Sequence, residues 1–157
     1  MIKITGSKLR EFSLPATAAA PPVHVNSAGN YDLLAARAET HGDAIQVEGD
    51  AGKENLGFWD NPDDWASWTV DFASSGTYEV SALASAGTGP TAFNMEVSGQ
   101  KLTVSVPATG SWAAYIHLAV GRITLPKMGK YVISVKAADH ASWKPMNLRG
   151  LVFRKTS

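Results

Sequence analysis

The feature that most constrains this chain is a two-residue rhythm of apolar side chains, broken by turns, that recurs from about residue 33 onward. In "WTVDF" Trp68, Val70 and Phe72 alternate with Thr69 and Asp71; in "YEVSALA" Tyr78, Val80 and Ala82 alternate with Glu79, Ser81 and Leu83. A period of two sends successive side chains to opposite faces, so each run reads as a half-buried β-strand. "FNMEV" and "KLTVSV" repeat the pattern on either side of "SGQ", which is a hairpin signal. "YIHLAVGRITL" changes phase at Gly121 in the manner of a bulge, and "YVISVKA" and "MNLRGLVF" complete the set. Turn sequences such as "SSGT", "GTGP", "ATGS" and "KMGK" separate the runs, and no long segment has a helical apolar period. The pattern predicts an all-β jelly-roll sandwich of roughly eight or more strands.

A length of 157 residues suits one domain with a sizeable core. Residues 33–157 carry the alternation; residues 13–32, rich in Pro, Ala, Ser and Asn, read as an extended linker, and residues 1–12 as a head belonging to an upstream domain or to cloning. Fourteen basic residues balance fourteen acidic ones without blocks of either sign, which leaves no footprint for nucleic acid. No run approaches the roughly 20 apolar residues of a membrane span. The start lacks the apolar centre of a signal peptide, so the chain reads either as intracellular or as a piece of a larger secreted protein. Without cysteine there is no disulfide, thiolate metal site or cysteine nucleophile.

The stretch "GFWDNPDDWASW", residues 57–68, gathers three of the five tryptophans and three aspartates. Paired carboxylates across a cleft are the machinery of glycoside hydrolysis. Here, however, "DNPDD" has the grammar of a turn, because Asn before Pro is pushed extended and Asx side chains bond nearby backbone amides. Trp65 and Trp68 open an alternating run and read as core. The four histidines share no metal-ligand spacing, and Ser111 has neither a nucleophile-elbow context nor a base, so no catalytic set can be assembled. His140, in "DHASWKP", is left as a candidate ligand contact.

The ordered motifs "ARAETHG", "ENLGFWDNPDDWASWTVDF", "SGTYEV", "FNMEVSGQKL", "VPATGSW", "ITLPKMGKYVISVK" and "PMNLRGLVF" resemble carbohydrate-binding modules of the family 6 and family 35 type. These are galactose-binding-like β-sandwiches, and the likeness is strongest to accessory domains of bacterial fucosidases and similar polysaccharide-degrading enzymes. It covers roughly residues 33–155. The resemblance implies a non-catalytic domain that holds a linked glycoside hydrolase at its polysaccharide, secreted or periplasmic as part of a larger protein. It places the sugar in a loop-end cleft, stacked on Phe58, with Trp59 beside it, and on Trp112, with Asn147 supplying hydrogen bonds and Trp143 just before it. Tryptophans in loops rich in Gly, Pro, Ser or Asn are hard to bury fully, which agrees with a platform. Lys144 hints at an acidic or sulfated glycan.

No cofactor is required by this reading, although the family commonly holds a structural calcium. The matching positions here are Glu39 and Arg149, and a cation cannot ligate a cation. The expectation is that Arg149 replaces the ion and pairs with Glu39; a displaced calcium bound by Asp43, Glu48 or Asp50 stays open. The rival reading is a structural domain that packs on a catalytic neighbour and binds no glycan.

Overall fold

A computed structural model describes residues 21–156. Among these residues eleven strands form two antiparallel sheets packed face to face. In chain order they are β1 (Asn30–Leu34), β2 (Glu39–His41), β3 (Gln46–Glu48), β4 (Asn55–Gly57), β5 (Trp65–Phe72), β6 (Gly76–Ser85), β7 (Thr91–Val97), β8 (Gln100–Val106), β9 (Ile116–Leu125), β10 (Gly129–Ala137) and β11 (Asn147–Lys155). A single 3-10 turn, Ala35–Arg37, follows β1. One sheet runs β2-β5-β10-β7-β8, and the other β3-β4-β11-β6-β9 with β1 also on β11. This is the all-β sandwich expected from the alternation.

The alternating runs bury the faces their pattern assigns. Trp68, Val70 and Phe72 of β5, Tyr78, Val80 and Ala82 of β6, and Phe93, Met95 and Val97 of β7 all point between the sheets. Each large apolar side chain so buried contributes roughly 2 kcal/mol. At one end Tyr31, Phe72, Tyr78 and Phe153 interlock, with ring centroids of Phe72 lying 4.7 Å from Tyr31, 5.0 Å from Tyr78 and 5.7 Å from Phe153. Ser98 and Gly99, at φ 51 and 76, make the two-residue turn of the β7–β8 hairpin with the left-handed pair that matches strand twist. The bulge expected near Gly121 lies beside it: Gly121 pairs with Val80 and Ala119 with Ser81, which leaves Val120 as the extra residue.

Three expectations change. Residues 1–12 and the first part of the assigned linker lie outside the described residues, but Val23 and residues 30–32 pair with strands of the sandwich. Val23 is 5% exposed, and its backbone bonds Thr69 and Asp71, while Asn30–Leu34 pairs along β11. A polar, proline-bearing segment was free to add to a sheet because an edge asks only for backbone groups. Trp65 is not core. It starts β5 on the outer face, stacked on His41 at 3.9 Å with the Lys136 ammonium 4.9 Å from its ring. Its parity is that of Ser67 and Thr69, not that of Trp68, whose indole is buried and donates to the Leu34 carbonyl at 2.8 Å. Finally, Glu39 and Arg149 do not pair: Glu39 lies on β2 beside Ser67 of one sheet, and Arg149 on β11 of the other.

Asp64 secures the loops at the other end. It is 2% exposed, and its carboxylate accepts the backbone N–H groups of Asp43 at 3.2 Å, Ala44 at 3.0 Å and Ile45 at 3.0 Å. Gly42, at φ 130, is required beside it, because a Cβ there would fall 1.9 Å from the carboxylate. Asp64→Ala leaves three amides without their acceptor and is expected to cost about 3 kcal/mol, read by denaturant unfolding. At the sheet surface the Arg154 guanidinium, and next Arg122, hold the Glu79 carboxyl below its ordinary 4.5. A depressed folded value stabilises above the ordinary value and is lost as pH falls through the folded one. The stability difference between wild type and Glu79→Gln is therefore expected to shrink on acidification below about pH 4.5, measured by unfolding across that range.

Candidate functional site

At the Asp64 end of the sandwich, loops from both halves of the chain enclose a cleft of about 390 Å³ lined by Glu48, Phe58, Trp59, Asp60, Trp112, Pro145, Met146 and Asn147. Phe58 follows β4 with φ 53, a left-handed conformation that a bulky side chain adopts at a cost of order 1 kcal/mol or more. The ring stands out from the sandwich at 54% exposure. Trp112 is 40% exposed and comes from the β8–β9 connection. Its indole lies on Gly87, where a Cβ would come within 2.7 Å of the ring. The Ser85 hydroxyl donates to the Trp112 carbonyl at 2.8 Å, and Thr109 exchanges bonds with the Ala86 backbone, so the Trp112 loop is fastened to the end of β6. Asn147 enters from the first position of β11.

Four of the five residues expected in a sugar site thus meet in one cleft, from segments up to ninety residues apart in sequence. Two of the tryptophans serve differently from expectation. Trp59 is 0% exposed, so it forms the back wall and presents no free face. Its indole N–H donates to the Asp64 carbonyl at 2.9 Å. Trp143 does not line the cleft: it lies behind Trp59 at 5.0 Å between centroids, and its N–H donates to the Trp59 carbonyl at 2.9 Å. Both indoles found partners inside the fold, which is why loop position misjudged them. His140 pairs with Asp63 at 2.8 Å and ties the loop after β10 to the one after β4. The DNPDD turn is as expected, with Asn61 accepting the Asp63 N–H at 2.9 Å and its carbonyl accepting that of Asp64 at 3.0 Å.

Glu48 and Asp60 are cleft residues that the sequence did not single out as such. Glu48 arrives because β3 pairs with β4, which sets it opposite Asn55, whose amide donates to Glu48 Oε2 at 3.1 Å. A Cβ on Gly57 would lie 2.0 Å from the same oxygen, so that glycine makes room for the carboxylate. No local signal marks this; only the pairing register does. Among the described residues neither Glu48 nor Asp60 forms an ion pair, and no Lys, Arg or His lines the cleft. Lys144 instead lays its stem along Gly89.

At the position matched to Glu39 the last strand carries Arg149, which offers no ligand to a calcium. Arg149 occupies a bulge of β11 with its guanidinium 4.1 Å over Tyr115, and no three His, Asp or Glu side chains gather as a metal site among the described residues.

The family model for carbohydrate-binding module family 6 matches residues 35–155, which contain the whole cleft. The chain belongs to that family. It is a non-catalytic carbohydrate-binding module. The fold agrees with solved structures: a family 35 module from Clostridium thermocellum is 18% identical with a TM-score of 0.68, over 81% of this chain and 98% of that one. The module CsCBM6-3 from Clostridium stercorarium, solved with cellobiose, is 21% identical with a TM-score of 0.62, over 87% and 98%. The module CBM6cm-2 of Cellvibrio mixtus lichenase 5A, solved with cellotriose, is 24% identical with a TM-score of 0.60, over 80% and 97%. No curated protein matches the chain.

The Gly87–Trp112 contact carries a prediction about the module. Gly87→Ala is expected to push the indole off its seat while the sandwich stays folded, seen as altered tryptophan fluorescence at an unchanged unfolding midpoint.

Proposed function

We propose that the module binds a polysaccharide chain in the loop-end cleft, a sugar ring stacking on Phe58 and Trp112 while Asn147 and Glu48 bond its hydroxyl rim. The observation that carries this is the pairing of two exposed aromatics with hydrogen-bonding side chains in a single concavity. Sugar rings offer apolar C–H faces and polar edges, and this arrangement offers the complement to each. Structurally similar modules solved with cellobiose and cellotriose support the reading. The module would act as the targeting domain of a secreted glycoside hydrolase; the similar GH26-CBM35 mannanase of Podospora anserina carries a family 35 module in an enzyme chain. The rival, a packing domain without ligand, requires Phe58 and Trp112 to meet a protein neighbour instead of a sugar.

A single shallow site gives affinities on the order of 10⁻⁵ to 10⁻³ M, because few atoms are desolvated and hydroxyls trade water for protein. Titration calorimetry against a panel of neutral oligosaccharides is expected to find a binder whose affinity drops about tenfold or more in Trp112→Ala and in Phe58→Ala. If no glycan binds wild type, the reading fails; if Trp112→Ala binds as wild type does, the cleft is not the site.

A further inference from the structure

Taking the cleft as a glycan site, we infer that its preferred ligands carry a protonated amine: it is built for amino sugars of the glucosamine type and disfavours uronic acids. Two carboxylates, Glu48 and Asp60, line the cleft, and among the described residues no basic side chain lines it to neutralise them. Of Glu48, one oxygen takes the Asn55 amide and the other has no hydrogen-bond partner among the described residues. Asp60 is exposed and has neither a hydrogen bond nor an ion pair among them. The two aromatics facing the same space, Phe58 and Trp112, add ring faces whose quadrupole attracts cations. An ammonium group has three N–H donors and no acceptor, which suits acceptor-only carboxylates beside aromatic rings. A hexuronate would bring a third negative charge into a site that already holds two. The basic residue closest in sequence, Lys144, lies against Gly89 and does not line the cleft, so the acidic-glycan hint it gave in the sequence is reversed.

The test is calorimetric titration of the whole chain, at mildly acidic pH and low salt, with four oligomers of equal length: β-1,4-glucosamine, its N-acetylated form, cello-oligosaccharide and oligogalacturonate. The glucosamine oligomer is expected to bind about three- to tenfold tighter than the cello-oligomer, and the uronate weakest. That advantage should fade as salt screens it, and the ratio of the two affinities should fall to about one in the double variant Glu48→Gln, Asp60→Asn. Equal binding of the glucosamine and cello-oligomers overturns the inference, as does an advantage that survives the double variant. Displacement of the glucosamine oligomer by an equal concentration of spermidine overturns it too, since the amine alone would then suffice. If none of the four oligomers binds, the amino-sugar inference falls, and the glycan reading falls with it only if the neutral panel also yields no binder; binding of the cello-oligomer without a gain for glucosamine removes only the amino-sugar preference.

Discussion

The buried carboxylate of Asp64 is the contact on which the cleft end of this module depends. A charged group held away from water is stable only when it is fully hydrogen-bonded, and three consecutive backbone amides of the β2–β3 loop meet that need. The same residue's carbonyl takes the Trp59 indole, and the Trp59 carbonyl takes the Trp143 indole. Three loops from distant parts of the chain are thereby stitched into one floor. The cleft is thus preorganised, and a ligand need not order it, which matters where the binding energy available is small.

On that floor the side chains that line the cleft are positioned by backbone geometry as much as by their own packing. Phe58 projects outward because its residue adopts a left-handed conformation directly after a strand whose three residues are all buried. Trp112 lies flat because a glycine opposite leaves room for the indole. Glu48 reaches the cleft because Gly57 has no side chain to exclude it. The absence of a bulky atom at Gly57 and Gly87 thus shapes the site as surely as the aromatic rings do.

Much of the fold was legible in the sequence because alternation is a local property. One strand exposes its period whatever it packs against, and β5 through β8 bury the residues that the period names. The linker boundary was not legible, because Val23 joins a sheet edge through backbone groups that every residue possesses. Phe58, Trp112 and Asn147 came from likeness to a family and share the cleft expected of them. Trp59 and Trp143 were misjudged because a backbone carbonyl can satisfy a loop indole's N–H and so let the ring pack inward, and here two carbonyls do. The supposed Glu39–Arg149 tie failed for a related reason: one-dimensional spacing cannot say that two strands belong to opposite sheets.

By itself the sequence determined the class of structure, the faces of the long strands and the turn at DNPDD, since each follows from periodicity or from the chemistry of neighbouring residues. Only the tertiary structure decided which aromatics face solvent and which are struts, that Asp64 is a clamp, and that Glu48 and Asp60 line one cleft without a basic partner among the described residues. Exposure, pairing and local field depend on residues brought together across sheets and loops, and no window of sequence contains those partners at once.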